Sequence, residues 1–503
     1  MTVALVAAAC LLGILNSGGY QYGASDQAFY LPAVIQHLDT SLFPRDRELL
    51  HAQDRFMLFD DLAGGLAKAT GVSLPVLFLV LFLAGLGVLF AASTALGRLW
   101  YRSWWSVVAL TLVLTLRHRI TRTGVNTLEG YLHPRVLAFG VGVWAVVAFL
   151  RGRPALAVGL VAAAAALHPT TALWFALWLG TAIAAAEPRW RKPLAAAAAA
   201  GVVIGMWLLW FGPLRGHLER IDAAWLAVLA TKDYLFVTDW PISAWLINLS
   251  YVVVIAIGYR LRAARHLTHP RERALVIGAL TLSAVFLASV PLVMMRLALA
   301  VQLQVPRVFW MLEWTAALYL IWMAMELHGR ESSRASVRTW VTVVVALATL
   351  ARGAYIMTVE HPERQVVGMT PRESPWTDAM AWLRQTPVDT HVLADPNHAF
   401  SYGSSARVLG ERDLFLDASK DTALAIYARP AAARVLERIQ ALGDFSTLTP
   451  EAARNLAGRY DLDVLVTERT MNLPLVYTNE MFNVYELRPS VSPAPPVGGA
   501  NER

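Results

Sequence analysis

Charged residues are scarce in this 503-residue chain: Asp, Glu, Lys and Arg make up 16% of it, and 56% of the residues are hydrophobic. Soluble domains carry roughly 25% charged residues, so an ordinary soluble protein is excluded. Apolar runs such as "LPVLFLVLFLAGLGVLFAAS" (74–93) approach the roughly 20 residues that a membrane-spanning helix needs. The composition therefore predicts a polytopic α-helical membrane protein.

Cysteine is nearly absent as well, because Cys10 is the single one, which excludes a disulfide framework and a thiolate metal cluster. No HExxH, GxSxG, P-loop or GxGxxG pattern stands in a suitable context, so hydrolase and nucleotide-driven functions have no support. We expect no cofactor; a divalent metal is left open but has no support in the sequence. The net charge of +7 does not predict a nucleic-acid partner, since basic residues in a membrane protein mostly report topology.

Hydropathy and helix breakers predict about eleven membrane spans, and basic residues predict their orientation. The spans are placed at 2–17, 73–97, 105–117, 136–150, 155–168, 170–186, 194–212, 243–259, 274–293, 306–327 and 339–357. Short Lys/Arg-rich connections, among them "RLWYRS", "RGRP" and "EPRWRKP", fall after alternate spans. The positive-inside rule then puts the N-terminus in the cytoplasm of a multi-pass inner or plasma membrane protein, with the C-terminal part outside.

Three regions are predicted from these patterns. Residues 1–357 form the transmembrane region, with a long outer loop at 18–72, hereafter the first loop. Residues 358–488 alternate strand-like segments ("THVLADP", "RDLFLDA", "LDVLVTE") with helical ones ("TALAIYARPAAARVLERIQAL", "TPEAARNLAGRY"), which predicts a small extracytoplasmic α/β domain. Thr449 is a candidate N-cap before Pro450. Residues 489–503 are rich in Pro, Gly and Ser and are predicted to be disordered.

Basic side chains gather on the predicted outer side, against the usual bias, both in the segment 117–135 and at other outer span ends. The candidate substrate-binding or phosphate-binding residues are Arg117, His118, Arg119, Glu129, His133, Arg135, His168 and Arg307. Arginine binds phosphate bidentately, so the cluster favours an anionic ligand. Contact with anionic lipid head groups, or pairing with Glu129 and the loop carboxylates, is the alternative.

Asp26 lies about ten residues after the first span, in "YGASDQAFYLPAV". At the membrane interface we expect a raised pKa for its carboxylate, which makes it a candidate general base. The alternative is an N-cap for the helix that begins at Gln27. His168, before Pro169, also has two interpretations: a functional group, or a side chain bonded to backbone that the proline frees.

Taken together, "SDQAFYLP", "FPRDRELL", "LHPR", "LHPTTALWF" and a soluble outer domain ending in "LPLVYTNEMFNVYEL" resemble the GT-C superfamily of polytopic glycosyltransferases. The resemblance implies sugar transfer from a polyprenyl-phosphate carrier to an extracytoplasmic glycolipid or polysaccharide. It implies that Asp26 is the catalytic base, that Asp46, in a second acidic site, is also catalytic, and that Arg117, Arg119, Arg135 and Arg307 hold the carrier phosphate. The family's pair of adjacent carboxylates is Asp26-Gln27 here, which weakens any case for a metal.

Two other classes of function remain. A transporter or flippase for a lipid-linked or anionic solute usually has repeated halves and broken helices near the membrane midplane, and no internal repeat is found. A non-catalytic membrane assembly protein would use its C-terminal domain to bind partners. In each case the membrane lipid is a partner, whereas the donor lipid and the glycan acceptor are partners of the glycosyltransferase alone.

Overall fold

The computed structural model of the protein describes residues 1–327 and 334–488; the predicted disordered tail, 489–503, lies outside them. The chain begins with α1 (Thr2–Asn16) and enters the first loop, which is folded. The loop contains β1 (Tyr20–Gln21), α2 (Gln27–Leu38), α3 (Arg47–Asp54) and α4 (Phe59–Thr70). The predicted helix after Asp26 is thus confirmed as α2.

The middle of the chain is a helical bundle with one small hairpin. Its elements in chain order are α5 (Leu74–Trp100), α6 (Trp104–Val113), β2 (Arg119–Ile120), β3 (Val125–Asn126), α7 (Pro134–Leu150), α8 (Pro154–Leu167), α9 (Pro169–Ala186), α10 (Arg191–Trp210), α11 (Ala223–Leu229), α12 (Ile242–Ala264), α13 (Glu272–Met294), α14 (Ala298–Gln302), α15 (Val308–Glu326) and α16 (Arg334–Tyr355). Helices α7, α8 and α9 each start at a proline, where the missing N–H costs nothing.

Among the described residues, seven helical stretches are long and apolar enough to cross a membrane. They are Leu74–Trp100, Pro169–Ala186, Pro188–Trp210, Ile242–Ala264, Glu272–Met294, Ala298–Glu326 and Val337–Glu360. Shorter apolar helices, α1, α6, α7 and α8, occupy the other predicted spans, and each falls below the roughly 20 residues of a full crossing. The chain therefore has the helices of a membrane protein, and the eleven-span topology stays a prediction.

The final part of the chain is a small sheet domain, residues 375–486, which follows β4 (Val367–Gly368). Its elements are α17 (Pro375–Leu383), β5 (His391–Leu393), α18 (His398–Ser401), α19 (Ala406–Leu409), β6 (Asp413–Leu414), α20 (Ala418–Leu424), α21 (Arg429–Leu442), α22 (Pro450–Tyr460), β7 (Val464–Thr467), β8 (Leu475–Thr478) and β9 (Asn483–Glu486). The strand order is β6-β5-β7-β9-β8; the first three strands are parallel, and β9 is antiparallel to both neighbours.

The three predicted strands are confirmed as β5, β6 and β7, and Thr449 caps α22 by accepting the Ala452 N–H at 3.2 Å. The single helix predicted over 422–442 is wrong, because α20 ends at Leu424 and α21 starts at Arg429. Pro430 explains the break: in a continuous helix its ring would clash with the carbonyl four residues earlier. The chain instead restarts with proline in the first turn of α21.

The first loop lies between the bundle and the sheet domain. Tyr20 of β1 pairs in parallel register with Val367 of β4. Phe43 and Leu50 pack in one apolar cluster with Leu424 of α20. These contacts fix α2, and with it Asp26, where loop, bundle and sheet domain meet.

Candidate functional site

A cavity of about 350 Å³ opens where the first loop, the ends of the bundle helices and the sheet domain meet. Six of the ten candidate residues from the sequence line it: Asp26, Arg119, His133, Arg135, His168 and Arg307. They come from chain segments up to 281 residues apart, so the fold brings together a group that the sequence could only propose.

Asp26 precedes α2 at the N-cap position, but its side chain makes no capping hydrogen bond. The carboxylate faces two cations and an imidazole instead: Oδ1 lies 3.5 Å from Lys420 Nζ, while Oδ2 lies 3.6 Å from His133 Nε2 and 4.0 Å from Arg135 Nη2. The side chain keeps 28% of its surface exposed. The capping alternative is therefore not what the carboxylate does in this structure.

His133 and Arg135 reach Asp26 because both stand at the start of α7. The Arg135 backbone N–H donates to His133 Nδ1 at 3.3 Å, so the neutral imidazole carries its proton on Nε2, the nitrogen nearest Asp26. Burial, followed by the Arg135 charge, lowers the pKa of His133 to about 3. His133 is thus neutral at physiological pH, and its Nε2 lies 3.6 Å from the carboxylate, beyond hydrogen-bond distance.

The electrostatics of the cavity keep Asp26 ionised. Burial raises the pKa of this carboxyl, but the Lys420 ammonium, together with His133 and Arg135, outweighs burial and holds the pKa well below its usual value. The direction is opposite to the raised pKa expected at the membrane interface: Asp26 stays ionised and can accept a proton from a bound hydroxyl, but it is a weak base while these groups face it.

Glu129 supports the site from behind. Its side chain is 1% exposed, pairs with Arg135 Nη2 at 2.5 Å, and accepts from Asn126 Nδ2 at 3.0 Å. Arg135 also donates to the Gly124 carbonyl at 3.2 Å. Gly124 has φ +67°, and a Cβ there would lie 3.0 Å from the Tyr234 ring, so the β2–β3 hairpin can approach the cavity only with glycine at this position.

Arg307 differs from the other cations of the cavity. Within residues 1–327 and 334–488 its guanidinium has no hydrogen-bond or ion-pair partner, and its Nε is buried. It follows Gln304, whose φ of +48° turns the chain just before α15. A partly buried cation without a protein counter-ion is costly, so an external anion is the chemical complement of this position.

His168 ends α8 and caps α9. Its Nδ1 accepts the Thr171 backbone N–H at 3.2 Å and lies 2.9 Å from Thr171 Oγ1. Of the two interpretations of His168, the bond to a carbonyl freed by Pro169 is not found; Nδ1 makes a capping bond to an N–H instead. Because Nδ1 is the acceptor, a neutral His168 carries its proton on Nε2, and the residue lines the cavity.

Four candidate residues are not among those lining the cavity. Arg117 donates to the Leu128 carbonyl and lies 3.6 Å from Glu129, and His118 pairs with Glu313 at 3.1 Å. Glu129 supports Arg135 from behind, as described above. These three residues shape or border the hairpin, and the direct phosphate contact expected of Arg117 and His118 has no support in their positions.

Asp46 is the fourth, and its position corrects the prediction of a second catalytic carboxylate. Its side chain is 0% exposed and is held between the first loop and the sheet domain by Arg407, Arg434 and Arg438. The Leu414 backbone N–H also donates to it at 3.0 Å. With both oxygens used by the protein and no access from the cavity, Asp46 cannot act on a substrate in this structure.

Sequence reasoning missed the contribution of the sheet domain and of tyrosines in the segments that connect the bundle helices. Lys420, Ser419 and Tyr427 of the sheet domain line the cavity, as do Lys232 and Tyr234. The rarity of lysine was the one signal in the sequence that could have pointed to two of these residues. Only four of the 43 Lys and Arg residues are lysine, and two of the four line this cavity.

The donor set of the cavity does not favour a metal ion. Among the described residues, no group of three or more His, Cys, Asp or Glu side chains is arranged to hold one. Gln27, where the family pattern has a second carboxylate, is buried; it accepts from the Gly23 N–H at 2.6 Å and donates to the Leu132 carbonyl at 3.3 Å. Searches with the sequence match no protein-family model and no curated protein.

Proposed function

We propose that the protein is a membrane glycosyltransferase that moves a sugar from a polyprenyl-phosphate carrier to a glycolipid or polysaccharide acceptor. The cavity would be the active site, on the outer face of a multi-pass inner or plasma membrane protein whose N-terminus is cytoplasmic. The GT-C-like arrangement and the eleven spans belong to the same proposal.

The observation that carries the proposal is a charge imbalance in the cavity. Asp26 is the single carboxylate among its described lining residues, whereas five lining residues are cations: Arg119, Arg135, Lys232, Arg307 and Lys420. Asp233 pairs with Arg119 and Glu129 pairs with Arg135, which still leaves positive charge in excess. A phosphate group beside Arg307 would supply the missing anion, in the charge-assisted geometry that arginine favours.

The proposed reaction uses the two kinds of group in separate roles. Asp26 takes the proton from the acceptor hydroxyl, whose oxygen then attacks the anomeric carbon of the sugar. The bond between the anomeric carbon and the phosphate oxygen breaks, and its electron pair leaves with the polyprenyl phosphate. Arg307 and Arg135 stabilise that departing charge, which is usually the largest catalytic effect in such sites.

The position of the cavity also favours transfer over transport. His133, His168 and Arg307 stand at ends of bundle helices rather than in their middle. A transporter of the usual kind binds its solute near the membrane midplane between broken helices. A cavity at the helix ends, with a wall from the sheet domain, suits a lipid-linked donor that reacts at the membrane surface.

The test compares a deletion strain with strains that carry the wild type or Asp26→Asn. We expect a carrier-linked sugar to accumulate in the deletion strain and in the Asp26→Asn strain, with transfer reduced by about 10²–10⁴-fold in membranes. Asp61→Asn is the matched control, since Asp61 lies in the same loop and is 64% exposed. Full transfer by Asp26→Asn would remove the proposed base, and counterflow of an intact lipid without a transfer product would establish a transporter instead.

A further inference from the structure

Lysine is rare in this chain, and half of its lysines line the cavity. The four lysines are Lys68, Lys192, Lys232 and Lys420, and the last two line the cavity. The other 39 of the 43 Lys and Arg residues are arginine, which also forms the buried ion pairs with Glu272 and Asp46. Lysine differs from arginine in being a compact point charge on a flexible stem, which suits a cation that changes partners.

Lys420 reaches the cavity from the sheet domain. It lies in the first turn of α20, where its backbone N–H donates to the Asp417 carboxylate at 3.1 Å. Its Nζ is 3.5 Å from Asp26 Oδ1 and 5.1 Å from the centre of the Phe29 ring, and the side chain is 12% exposed. A tight charge-assisted hydrogen bond spans about 2.7–2.9 Å, so the pairing with Asp26 is loose.

Lys232 points to the same helix from the bundle side. Its Nζ donates to the carbonyl of Ser419, the residue before Lys420, at 2.8 Å. Burial, together with the Lys420 charge, lowers the pKa of Lys232. Two ammonium groups are thus held close to each other beside one carboxylate, an arrangement that an added anion would relieve.

The position of α20 is fixed by buried charges. Arg407 donates to Asp421 of α20 at 2.9 Å and to Asp46 of the first loop at 2.9 Å. Asp421 in turn accepts the Asp417 backbone N–H at 3.0 Å. The first loop therefore holds α20 at Asp46 and meets it again where Lys420 faces Asp26.

We propose that Lys420 is a positioning residue that couples anion binding to Asp26: it pairs with the carboxylate in the empty cavity and moves to a bound phosphate. The proposal rests on the proposed function in taking the anion to be the donor phosphate. In the donor this phosphate is a diester with one negative charge and two non-bridging oxygens, and it gains a second charge and a third free oxygen as its bond to the sugar breaks, so it competes increasingly well for the ammonium. The shift frees Asp26 to accept a proton only when the donor is in place.

Amine labelling tests the first half of the proposal and requires no transfer activity. The full-length purified protein is acetylated with and without inorganic phosphate or geranyl phosphate, and each lysine is quantified by mass spectrometry. We expect either anion to reduce labelling of Lys420 several-fold, with Lys68 and Lys192 unchanged as internal controls. Protection by geranyl phosphate alone would assign the site to lipid-linked phosphate, whereas labelling of Lys420 that neither anion changes would overturn the proposal.

The second half of the proposal is that Lys420 controls the protonation of Asp26. Charged or titratable groups from several elements face Asp26. They are Lys420 from α20, His133 and Arg135 from the start of α7, Arg307 before α15, Tyr30 of α2, and Lys232, Tyr131 and Tyr234 from connecting segments. Among these groups, Lys420 makes the closest charged contact with Asp26. Its removal should therefore change the protonation of Asp26 most.

Lys420→Met and Lys420→Arg separate charge from packing. In Lys420→Met, we expect the acid limb of the pH–rate profile to move to higher pH and the KM for the donor to rise about tenfold or more, since a charged hydrogen bond to the phosphate is lost. Lys420→Arg should return the KM most of the way to the wild-type value, and Lys68→Met should match the wild type. An unchanged acid limb in Lys420→Met would show a purely structural role for Lys420. Absence of transfer in the wild type would reject the proposed function and leave the labelling result standing.

Discussion

Two aspartates of the first loop, Asp26 and Asp46, meet basic residues of the sheet domain in opposite ways. Asp46 is 0% exposed and bound by three arginines and a backbone N–H. Asp26 is 28% exposed, and its neighbours Lys420, His133 and Arg135 each lie 3.5 Å or more away. Both carboxylates are ionised, but the protein saturates one and leaves the other incompletely paired.

The difference separates a carboxylate that holds segments together from one that is free to react. Removing either from water is expensive, and Asp46 recovers that cost through short contacts within the protein. Asp26 recovers less of it and lines a cavity that also contains Arg307, a cation without a described partner. Incomplete pairing at a cavity, rather than burial of charge as such, is the physical mark of the candidate site.

The largest effect that the comparison predicts is on stability, at Asp46. Asp46→Asn should lower the free energy of unfolding by about 3–5 kcal/mol, because Arg407 and Arg434 would be left buried with an uncharged partner. Thermal unfolding of the purified protein measures this change. Asp26→Asn is the matched control, and it should change the unfolding temperature far less, because it removes an anion from a loosely paired site. Equal losses in the two variants would contradict the distinction.

Arg307 provides the next test. Like Asp26, it is a charged residue that lines the cavity and is incompletely paired within the protein. Arg307→Met should weaken the binding of geranyl phosphate about tenfold or more, because a charge-assisted contact to the anion is lost. It should leave the unfolding temperature unchanged or raise it, as an unpaired cation is removed. Calorimetric titration and thermal unfolding give the two readouts. Arg119→Met, at an exposed arginine paired with Asp233, is the control.

A drop in the unfolding temperature of Arg307→Met would contradict this interpretation, because it would reveal a stabilising contact of the guanidinium within the protein. Equal loss of phosphate binding in the Arg119 variant would show that the cavity attracts anions through its overall field alone. The expected pattern is a loss of affinity specific to Arg307.

Local patterns in the sequence predicted local structure well. The apolar runs predicted each of the seven long helices, and alternation with amphipathic segments predicted β5, β6 and β7. The Thr449 cap was predicted because capping depends on residues a few positions apart. The helix over 422–442 failed where a single residue, Pro430, outweighed the apolar periodicity.

The roles of the two aspartates could not be predicted from the sequence. Each stands in a loop after an apolar segment. The basic side chains that distinguish their surroundings come from residues far along the chain. Asp46 meets Arg407, 361 residues away, and Asp26 meets Lys420, 394 residues away. Sequence patterns describe near neighbours, so they offered Asp26 and Asp46 alike as catalytic. Only the fold assigns one to the cavity and the other to a buried ion-pair network.

The smallest predicted effect is on the pH dependence of stability, and it concerns Asp413, the carboxylate next to Asp46. Asp413 accepts the backbone N–H groups of Arg45 and Asp46, both at 3.0 Å. Burial and then the Asp46 charge raise the pKa of Asp413 to about 6. Burial acts against ionisation of Asp46 too, but Arg407, Arg434 and Arg438 outweigh it and hold the pKa of Asp46 below its usual value. The two carboxylates therefore affect stability in different pH ranges.

In the folded protein Asp413 keeps its proton up to about pH 6, whereas in the unfolded chain it loses the proton near pH 3.9. The folded state binds more protons between these values, so this group's contribution to stability falls as pH rises through the window and is constant above it. Asp46 acts oppositely, and only below its ordinary value, where falling pH removes stability. Asp413→Asn should be less stable than the wild type, because one amide oxygen replaces two acceptors. Unfolding temperatures at pH 4.5, 5.5, 6.5 and 7.5 should show this gap narrowing up to about pH 6.5 and then holding constant, whereas a gap of constant size would mean that Asp413 is ionised throughout, like Asp46.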